Sequence, residues 1–229
     1  MLEYLFPPSV ARQRRKAKAR ATGALAQFYS VEPPDPSTPV EELPCLAIDV
    51  ETTGLDPNHD VVLSIGFVPV DGLSIVYSGA RHMVVRAATE VGQSATVHGL
   101  TDDMIADGTP EDEAVITTLS ALSGRVLLAH FARIEVNFLS RICERLFGAP
   151  LAVPVIDTLE LHNRLIAPGF DDEARGNQLR LWNARTRYGL PVYAAHEALM
   201  DAVACAELYL GQVAEFSQVK PQTLKTLSS

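Results

Sequence analysis

The stretch that decides the fold of this 229-residue chain is Leu46-Ala47-Ile48-Asp49-Val50-Glu51-Thr52-Thr53-Gly54-Leu55. Its apolar start predicts a buried strand, and side chains at positions i and i+2 of a strand point to the same side. We therefore expect Asp49 and Glu51 to project together from the end of this strand. Two carboxylates held this close repel each other, and their hard oxygen ligands suit Mg²⁺ or Mn²⁺. The alternative at this point is a strand that ends in solvated acids and a turn.

The bulk composition is typical of a globular chain, with 47% hydrophobic and 21% charged residues. The length allows one domain with a sizeable core and an appendage. No uncharged apolar stretch approaches the roughly 18 residues that a membrane span requires, so we expect no membrane association. Three isolated cysteines disfavour a disulfide framework or a zinc knuckle, and they favour a reducing, cytoplasmic location. They are Cys45, Cys143 and Cys205.

The net charge of −9 is unevenly distributed, because residues 1–40 carry +3 and residues 41–229 carry −12. A broad nucleic-acid clamp depends on many cationic contacts to phosphates, which the acidic body does not offer. A polyanionic substrate would therefore be held locally, with the help of a metal.

Residues 1–42 are interpreted as a basic N-terminal helical arm followed by a Pro-rich linker, and residues 43–229 as the main domain. A helix is predicted over residues 9–29, where Leu25, Phe28 and Tyr29 could dock on the body. The basic residues of this arm are expected to form a solvated helix face. Nucleic-acid binding, docking of a protein partner and an Arg-rich transit segment are the alternatives. The basic residues are Arg12, Arg14, Arg15, Lys16, Lys18 and Arg20.

From residue 43 onward the pattern changes to strands and then to alternating helices and strands. Strands are predicted at 44–50, 61–70, 73–78, 82–86, 125–130 and 153–156. Asp71-Gly72 between two apolar runs is a hairpin signal. Helices are predicted after Thr101 and Thr109 and over 131–147, 175–188 and 197–216, with Asp157 as the cap of another. This order indicates an α/β fold with one mixed sheet and helices on both faces.

Glu135 stands in the apolar stripe of the helix over 131–147, where an ionised carboxylate needs a partner. An ion pair with Arg133 or Arg141 is one explanation, although both lie on other faces of the same helix. Near the C-terminus, His196 precedes a helix and Asp201 lies one turn inside it. Asp201 is flanked by small residues that allow another backbone to approach closely: Ala198, Ala202 and Cys205.

Taken together, these acids and His196 resemble the DnaQ-like (DEDDh) 3′–5′ exonuclease family, which includes proofreading epsilon subunits and RNase T. The matching segments run from about residue 43 to residue 212 in the family's order. They are Ile48 to Leu55, Val97 to Thr101, Leu128 to His130 with the helix that follows, Ile156 to Thr158, and His196-x-Ala198-x-x-Asp201. Three positions depart from the family pattern: Phe131 replaces the usual Asn, and Ile134-Glu135 replaces the usual Phe-Asp.

The resemblance implies a ribonuclease H-like mixed five-stranded sheet flanked by helices, with the exonuclease domain over 43–229. It implies two divalent cations, Mg²⁺ or Mn²⁺, held by four carboxylates, with His196 as the general base. The four carboxylates are Asp49, Glu51, Glu135 and Asp201. The terminal nucleotide is expected to be bound by Thr52, Thr53, Leu55 and His98. The alternative for the first three is a simple turn after the strand, and the alternative for His98 is a histidine whose hydrogen bonds are satisfied locally.

The function implied is hydrolysis of phosphodiester bonds at nucleic-acid 3′ ends, with release of nucleoside 5′-monophosphates. Single-stranded DNA is the expected substrate. One alternative is an exoribonuclease or oligoribonuclease with the same site. Another is a catalytically silent nucleic-acid-binding or polymerase-partner subunit. The presence of Glu135 in place of the usual Asp favours this second alternative. The basic arm could serve a protein partner. Asp157 is expected to be a helix cap and His130 a hydrogen-bonded core histidine.

Overall fold

The computed structural model describes residues 9–87, 100–166, 176–193 and 197–228. Within them, six strands form one sheet. The strands are β1 (Pro44–Thr52), β2 (Val62–Asp71), β3 (Ser74–Ile75), β4 (Arg81–Val84), β5 (Val126–Ala129) and β6 (Val155–Asp157). The helices are α1 (Val10–Lys18), α2 (Gly23–Ser30), α3 (Asp102–Ala106), α4 (Glu111–Leu122), α5 (Arg133–Phe147), α6 (Thr158–Leu165), α7 (Leu181–Thr186), α8 (Ala198–Ser217) and α9 (Leu224–Leu227).

The sheet is mixed, as the sequence predicted. Its order is β3-β2-β1-β5-β6, and β4 also pairs with β2. Strand β2 pairs antiparallel with β1, β3 and β4, whereas β5 pairs parallel with both β1 and β6. Because β1 pairs along the whole of β2, the short β3 and β4 share the opposite edge of β2. The described sheet is therefore five positions wide although it contains six strands.

Strand β1 separates two apolar layers through the alternation of its side chains. Leu46 and Ile48 belong to the cluster that includes residues of α2, α4 and α5. Cys45 and Ala47 belong to the cluster that includes residues of α6, α8 and α9. Since Asp49 and Glu51 continue the second series, they point to the side of the sheet on which α8 lies.

Helix α8 lies across β1 and β2 because small residues at its start allow a close approach. Ala198 and Ala202 are fully buried, and Cys205 is 2% exposed. On the sheet, Gly66 of β2 faces this segment, and a Cβ atom there would lie 2.1 Å from the backbone nitrogen of Leu199. A glycine inside a strand often marks such a contact between backbones.

The predicted helix over residues 9–29 consists of two helices, α1 and α2. They are separated where the amide and the hydroxyl of Thr22 both donate to the carbonyl of Phe147 and where Gly23 adopts a φ of 54°. The predicted docking of this region is confirmed, because Leu25, Phe28 and Tyr29 are buried in the cluster with α4 and α5. The Tyr29 hydroxyl donates to the carbonyl of Pro150 at 2.7 Å.

The basic face of α1 is solvated except at one position. Arg14 is only 6% exposed. Its guanidinium lies 4.8 Å from the centre of the Tyr29 ring and donates to the carbonyl of Val31. The expectation of a wholly solvated basic face was therefore wrong for Arg14, which fixes α1 against the end of α2.

Two other expectations differ in extent from the structure. The predicted strand over 73–78 is limited to β3, because a 3-10 turn follows at Tyr77–Gly79. The predicted helix over 175–188 is represented by a helical turn at 176–178 and by α7. All three cysteines are buried and unpaired with one another. Among the described residues, no helix combines the length and apolar character needed to cross a membrane.

Candidate metal centre

Three acidic side chains converge at the end of β1. Asp49, Glu51 and Asp201 each offer a carboxylate oxygen, and these oxygens lie within 4.8 Å of one another. The alternation of β1 places Asp49 and Glu51 on one side, and the first turn of α8 brings Asp201 to the same side. Glu51 is buried, whereas Asp49 and Asp201 keep partial access to solvent. This grouping is one that could hold a metal ion.

Glu135 lies near enough for its charge to act on Asp49, although it is not one of the three residues whose oxygens lie within 4.8 Å of one another. It lies in the first turn of α5 and is 3% exposed, and its Oε2 has no hydrogen-bond partner within the described part of the chain. The ion pairs considered from the sequence are not formed. Arg141 lies 3.9 Å from Glu144, and the guanidinium of Arg133 lies over the ring of Phe131. Glu135 is thus a buried carboxylate with an unsatisfied oxygen.

Burial and mutual repulsion shift the titration of these acids upward. The pKa of Asp49 is raised well above its usual value by burial and then by the charges of Glu135, Glu51 and Asp201. The pKa of Glu51 is raised to about 7 by burial and by Asp201. The pKa of Glu135 is raised by burial and by the charges of Asp157 and Glu51. A cation bound among them would remove the repulsion and favour the ionised form.

Asp157 positions the helix that carries Glu135. Its two carboxylate oxygens accept hydrogen bonds from the amides of Phe131 and Ala132, each at 2.9 Å, and from the amide of Leu159, also at 2.9 Å. The prediction that Asp157 caps its own helix, α6, is confirmed. Its contacts to Phe131 and Ala132, just before α5, join residues 26 and 25 positions apart, and no local sequence pattern predicts them.

Gly66 is the second residue that the site depends on and that sequence reasoning missed. It pairs with Asp49 across the β1–β2 ladder, and it admits the backbone of α8, which carries Asp201. A signal for it did exist, because a lone glycine inside the apolar run 61–70 is unusual for a buried strand.

The residues expected to bind the terminal nucleotide lie in the turn after β1. The Thr53 hydroxyl donates to Asp60 and accepts from the amide of Val61, so it stabilises the turn. The Thr52 hydroxyl donates to the carbonyl of Gly54. Leu55 is 76% exposed and so is accessible to a ligand. A role in nucleotide binding stays a prediction for all three.

The two histidines assigned to chemistry and substrate binding, His196 and His98, lie outside the described residues. His130 does not join the acids. Its ring nitrogens bond the Thr158 hydroxyl at 2.9 Å and the carbonyl of Leu179 at 2.8 Å. Burial lowers its pKa to about 4, so it is neutral near pH 7. It is the hydrogen-bonded core histidine that the sequence predicted.

The family model described as "RNase_T: Exonuclease" matches residues 46–209. The epsilon subunit of DNA polymerase III from Treponema pallidum is 32% identical over 78% of this chain and 80% of that protein. A PolC-type DNA polymerase III from Thermotoga maritima is 28% identical over 72% of this chain, which spans 11% of that relative.

Solved structures share the fold at low identity. The zinc-bound complex of E. coli exonuclease I with single-stranded DNA has a TM-score of 0.64 at 17% identity, over 78% of this chain and 42% of that one. The nuclease domain of 3′hExo, described as a DEDDh family member bound to rAMP, has a TM-score of 0.63 at 16% identity. That match covers 78% of this chain and 96% of the nuclease domain.

Proposed function

Because the chain belongs to the RNase_T family of exonucleases, we propose that it removes nucleotides from the 3′ ends of single-stranded DNA and releases nucleoside 5′-monophosphates. The prediction of a DnaQ-like 3′–5′ exonuclease with a ribonuclease H-like fold is confirmed at the level of the family. The identity of the strand, the ions and the residue roles are our proposals.

The observation that carries the proposal is the convergence of Asp49, Glu51 and Asp201, with Glu135 beside them. These residues fit divalent cations, because all four offer hard oxygen ligands and a buried oxygen of Glu135 lacks a partner. We assign Asp49, Glu51, Glu135 and Asp201 as the ligands of two ions, Mg²⁺ or Mn²⁺. When bound, these ions would stabilise charge on the entering and leaving oxygens of the phosphodiester.

The residues of the chain supply the remaining steps. The carboxylates release their excess protons as the site is loaded, so cation affinity rises with pH through neutrality. His196 takes a proton from the attacking water, a role that suits an imidazole with an ordinary pKa near 6.5. Thr52, Thr53, Leu55 and His98 hold the terminal nucleotide.

Single-stranded DNA is favoured over RNA by the relatives, since E. coli exonuclease I is solved with such DNA and the Treponema relative is a DNA polymerase subunit. The rAMP bound to 3′hExo keeps RNA as the second candidate. A polymerase subunit is the protein partner that we propose, with the exposed basic residues of α1 as its contact. The cytoplasmic location and the domain boundary at residues 42 and 43 stay predictions.

The test is degradation of 5′-labelled DNA and RNA strands with Mg²⁺ or Mn²⁺, with and without a chelator. We expect a metal-dependent ladder of shortened products, and faster degradation of DNA. Asp49→Ala should retain less than about 1% of the rate, since even residues around a metal's ligands contribute 10–100-fold. Asp112→Ala, an exposed acid in the first turn of α4, is the matched control. A normal rate for Asp49→Ala would refute the site, and no cleavage with either metal would favour a silent binding subunit.

A further inference from the structure

Phe131 is a large aromatic side chain that does not contribute to the core. It is 41% exposed, and it belongs to none of the three apolar clusters among the described residues. It lies in the three-residue connection between β5 and α5, at the position where the resemblance leads one to expect Asn. Packing therefore does not account for an aromatic ring at this position.

The backbone does not account for the ring either. Phe131 has a φ of 67°, and it is the one non-glycine residue in the described ranges with a positive φ. A bulky residue is unfavourable in this left-handed conformation, whereas Gly and Asn are tolerated. The conformation is held by Asp157, which accepts from the amides of both Phe131 and Ala132. The strain is thus fixed by the contact that also places α5.

Phe131 lies four residues before Glu135, and its amide bonds Asp157, whose charge acts on Glu135. The guanidinium of Arg133 lies 5.4 Å from the centre of the Phe131 ring. Arg133 is exposed, and no carboxylate pairs with it among the described residues. An exposed ring and an unpaired cation therefore lie at the start of the helix that carries Glu135, in a body of net charge −12.

We propose that Phe131 stacks against an upstream base of the substrate strand and that Arg133 contacts a phosphate of the same strand. Every base offers a π-face, and stacking on aromatic side chains is a general way to hold single strands. An internal base can stack on Phe131 only after it has separated from its neighbour in the strand, which costs less in a single strand than in a duplex, so this contact favours single strands. The proposal rests on the proposed function, and it assigns this pair as determinants of strand binding separate from the metal ligands.

The test compares two substrates with the full-length chain. One is a labelled single-stranded oligonucleotide, and the other is the p-nitrophenyl ester of thymidine 5′-monophosphate, which has no upstream base. We expect Phe131→Gly to raise KM for the oligonucleotide about tenfold, as for loss of one stacked base, and to leave hydrolysis of the ester unchanged. Glycine suits the positive φ, so the melting temperature should not fall. Phe131→Trp should keep the oligonucleotide KM near its original value.

Tyr77→Ala is the control, because Tyr77 is an aromatic residue that is 60% exposed and follows β3. In the sheet, β3 lies on the side of β1 that is opposite to β5. An unchanged oligonucleotide KM in Phe131→Gly would overturn the proposal. An equal loss on both substrates would overturn it too, since the ring would then act through the acidic site. If the original chain hydrolyses neither substrate, the proposed function fails. Stacking is then tested by measuring the affinity for a fluorescent single-stranded oligonucleotide. An affinity of Phe131→Gly equal to that of the original chain would refute the stacking.

Discussion

Asp49 of β1 and Gly66 of β2 lie opposite each other in the antiparallel ladder, and Gly66 is where the backbone of α8 meets the sheet. The missing side chain at Gly66 lets α8 approach, and the same helix brings Asp201 to within 4.8 Å of Asp49 and Glu51 through their carboxylate oxygens. The candidate metal centre therefore depends on a residue that has no chemistry of its own.

Substitution of Gly66 should disrupt the site through the position of α8. In Gly66→Ala the new Cβ would lie 2.1 Å from backbone atoms of both Ala198 and Leu199, so the helix must shift. We expect a loss of stability of about 1–3 kcal/mol, as for overpacking, together with weaker Mn²⁺ binding. Thermal unfolding and metal titration measure both effects. Gly176→Ala, where a Cβ would contact nothing within 4 Å, should change neither. Normal metal binding in Gly66→Ala would refute this dependence.

The metal-free protein should lose stability as the pH rises toward neutrality. The pKa of Glu51 is about 7 in the folded chain, whereas an unfolded Glu titrates near 4.3. Between these values the folded state binds more protons than the unfolded state, so the free energy of unfolding falls with rising pH. We expect a decrease on the order of 2–3 kcal/mol between pH 5 and pH 7.5 in chelator.

Unfolding in denaturant at several pH values measures this change. Addition of Mn²⁺ at pH 7.5 should restore stability, and Asp201→Asn should flatten the dependence because it removes the charge that helps to raise the pKa of Glu51. A stability in chelator that is constant or rises over this range would contradict the prediction.

Shortening Glu135 should alter the preference for metal. Glu135→Asp retracts the carboxylate by about 1.5 Å, the length of one carbon–carbon bond. Mg²⁺ demands near-ideal octahedral geometry, so we expect this variant to retain activity and to raise the rate with Mg²⁺ relative to Mn²⁺ a few-fold. Rates with each metal at saturation measure the ratio. Glu135→Gln, which removes the charge at constant size, should lose at least about tenfold. Complete loss in Glu135→Asp would instead show that the site is built around the longer side chain.

Removal of the Asp157 carboxylate should release the start of two helices. In Asp157→Ala the amides of Phe131, Ala132 and Leu159 lose their acceptor. We expect a loss of about 2–4 kcal/mol in the free energy of unfolding and a reduced kcat, because α5 also carries Glu135. Chemical denaturation and steady-state rates check the two parts. Asp157→Asn keeps one acceptor oxygen, so it should recover part of the stability and part of kcat. An unchanged kcat in a destabilised Asp157→Ala would show that Asp157 does not position Glu135.

The N-terminal helices should stabilise the body. Phe28 is 3% exposed within the cluster that includes α4 and α5, so Phe28→Ala should cost about 3–5 kcal/mol. Val219→Ala, at a position that is 85% exposed, should stay within about 0.5 kcal/mol of the original chain. Calorimetry of both variants gives the comparison. If Phe28→Ala melted at the same temperature as the original chain, residues 1–42 would be the separable arm that the sequence suggested.

Much of the fold could be predicted from the sequence because its signals are local. The apolar runs predicted the sheet, and the Asp71-Gly72 turn predicted the β2–β3 hairpin. Glu135 was identified as unusual because an acid interrupts an apolar helical stripe, and the structure confirms that it is buried. The burial of Arg14 could not be predicted, since it depends on where α2 presents Phe28 and Tyr29.

By itself, the sequence determined that Asp49 and Glu51 share one side of a strand, because side chains alternate along extended backbone wherever it is placed. The order of its motifs also determined the family. Only the tertiary structure decided that Gly66 would admit α8 and that Asp157 would hold the start of α5. Each of these contacts joins segments far apart in the chain, so the distance between them is set by the packing of the whole sheet and its helices.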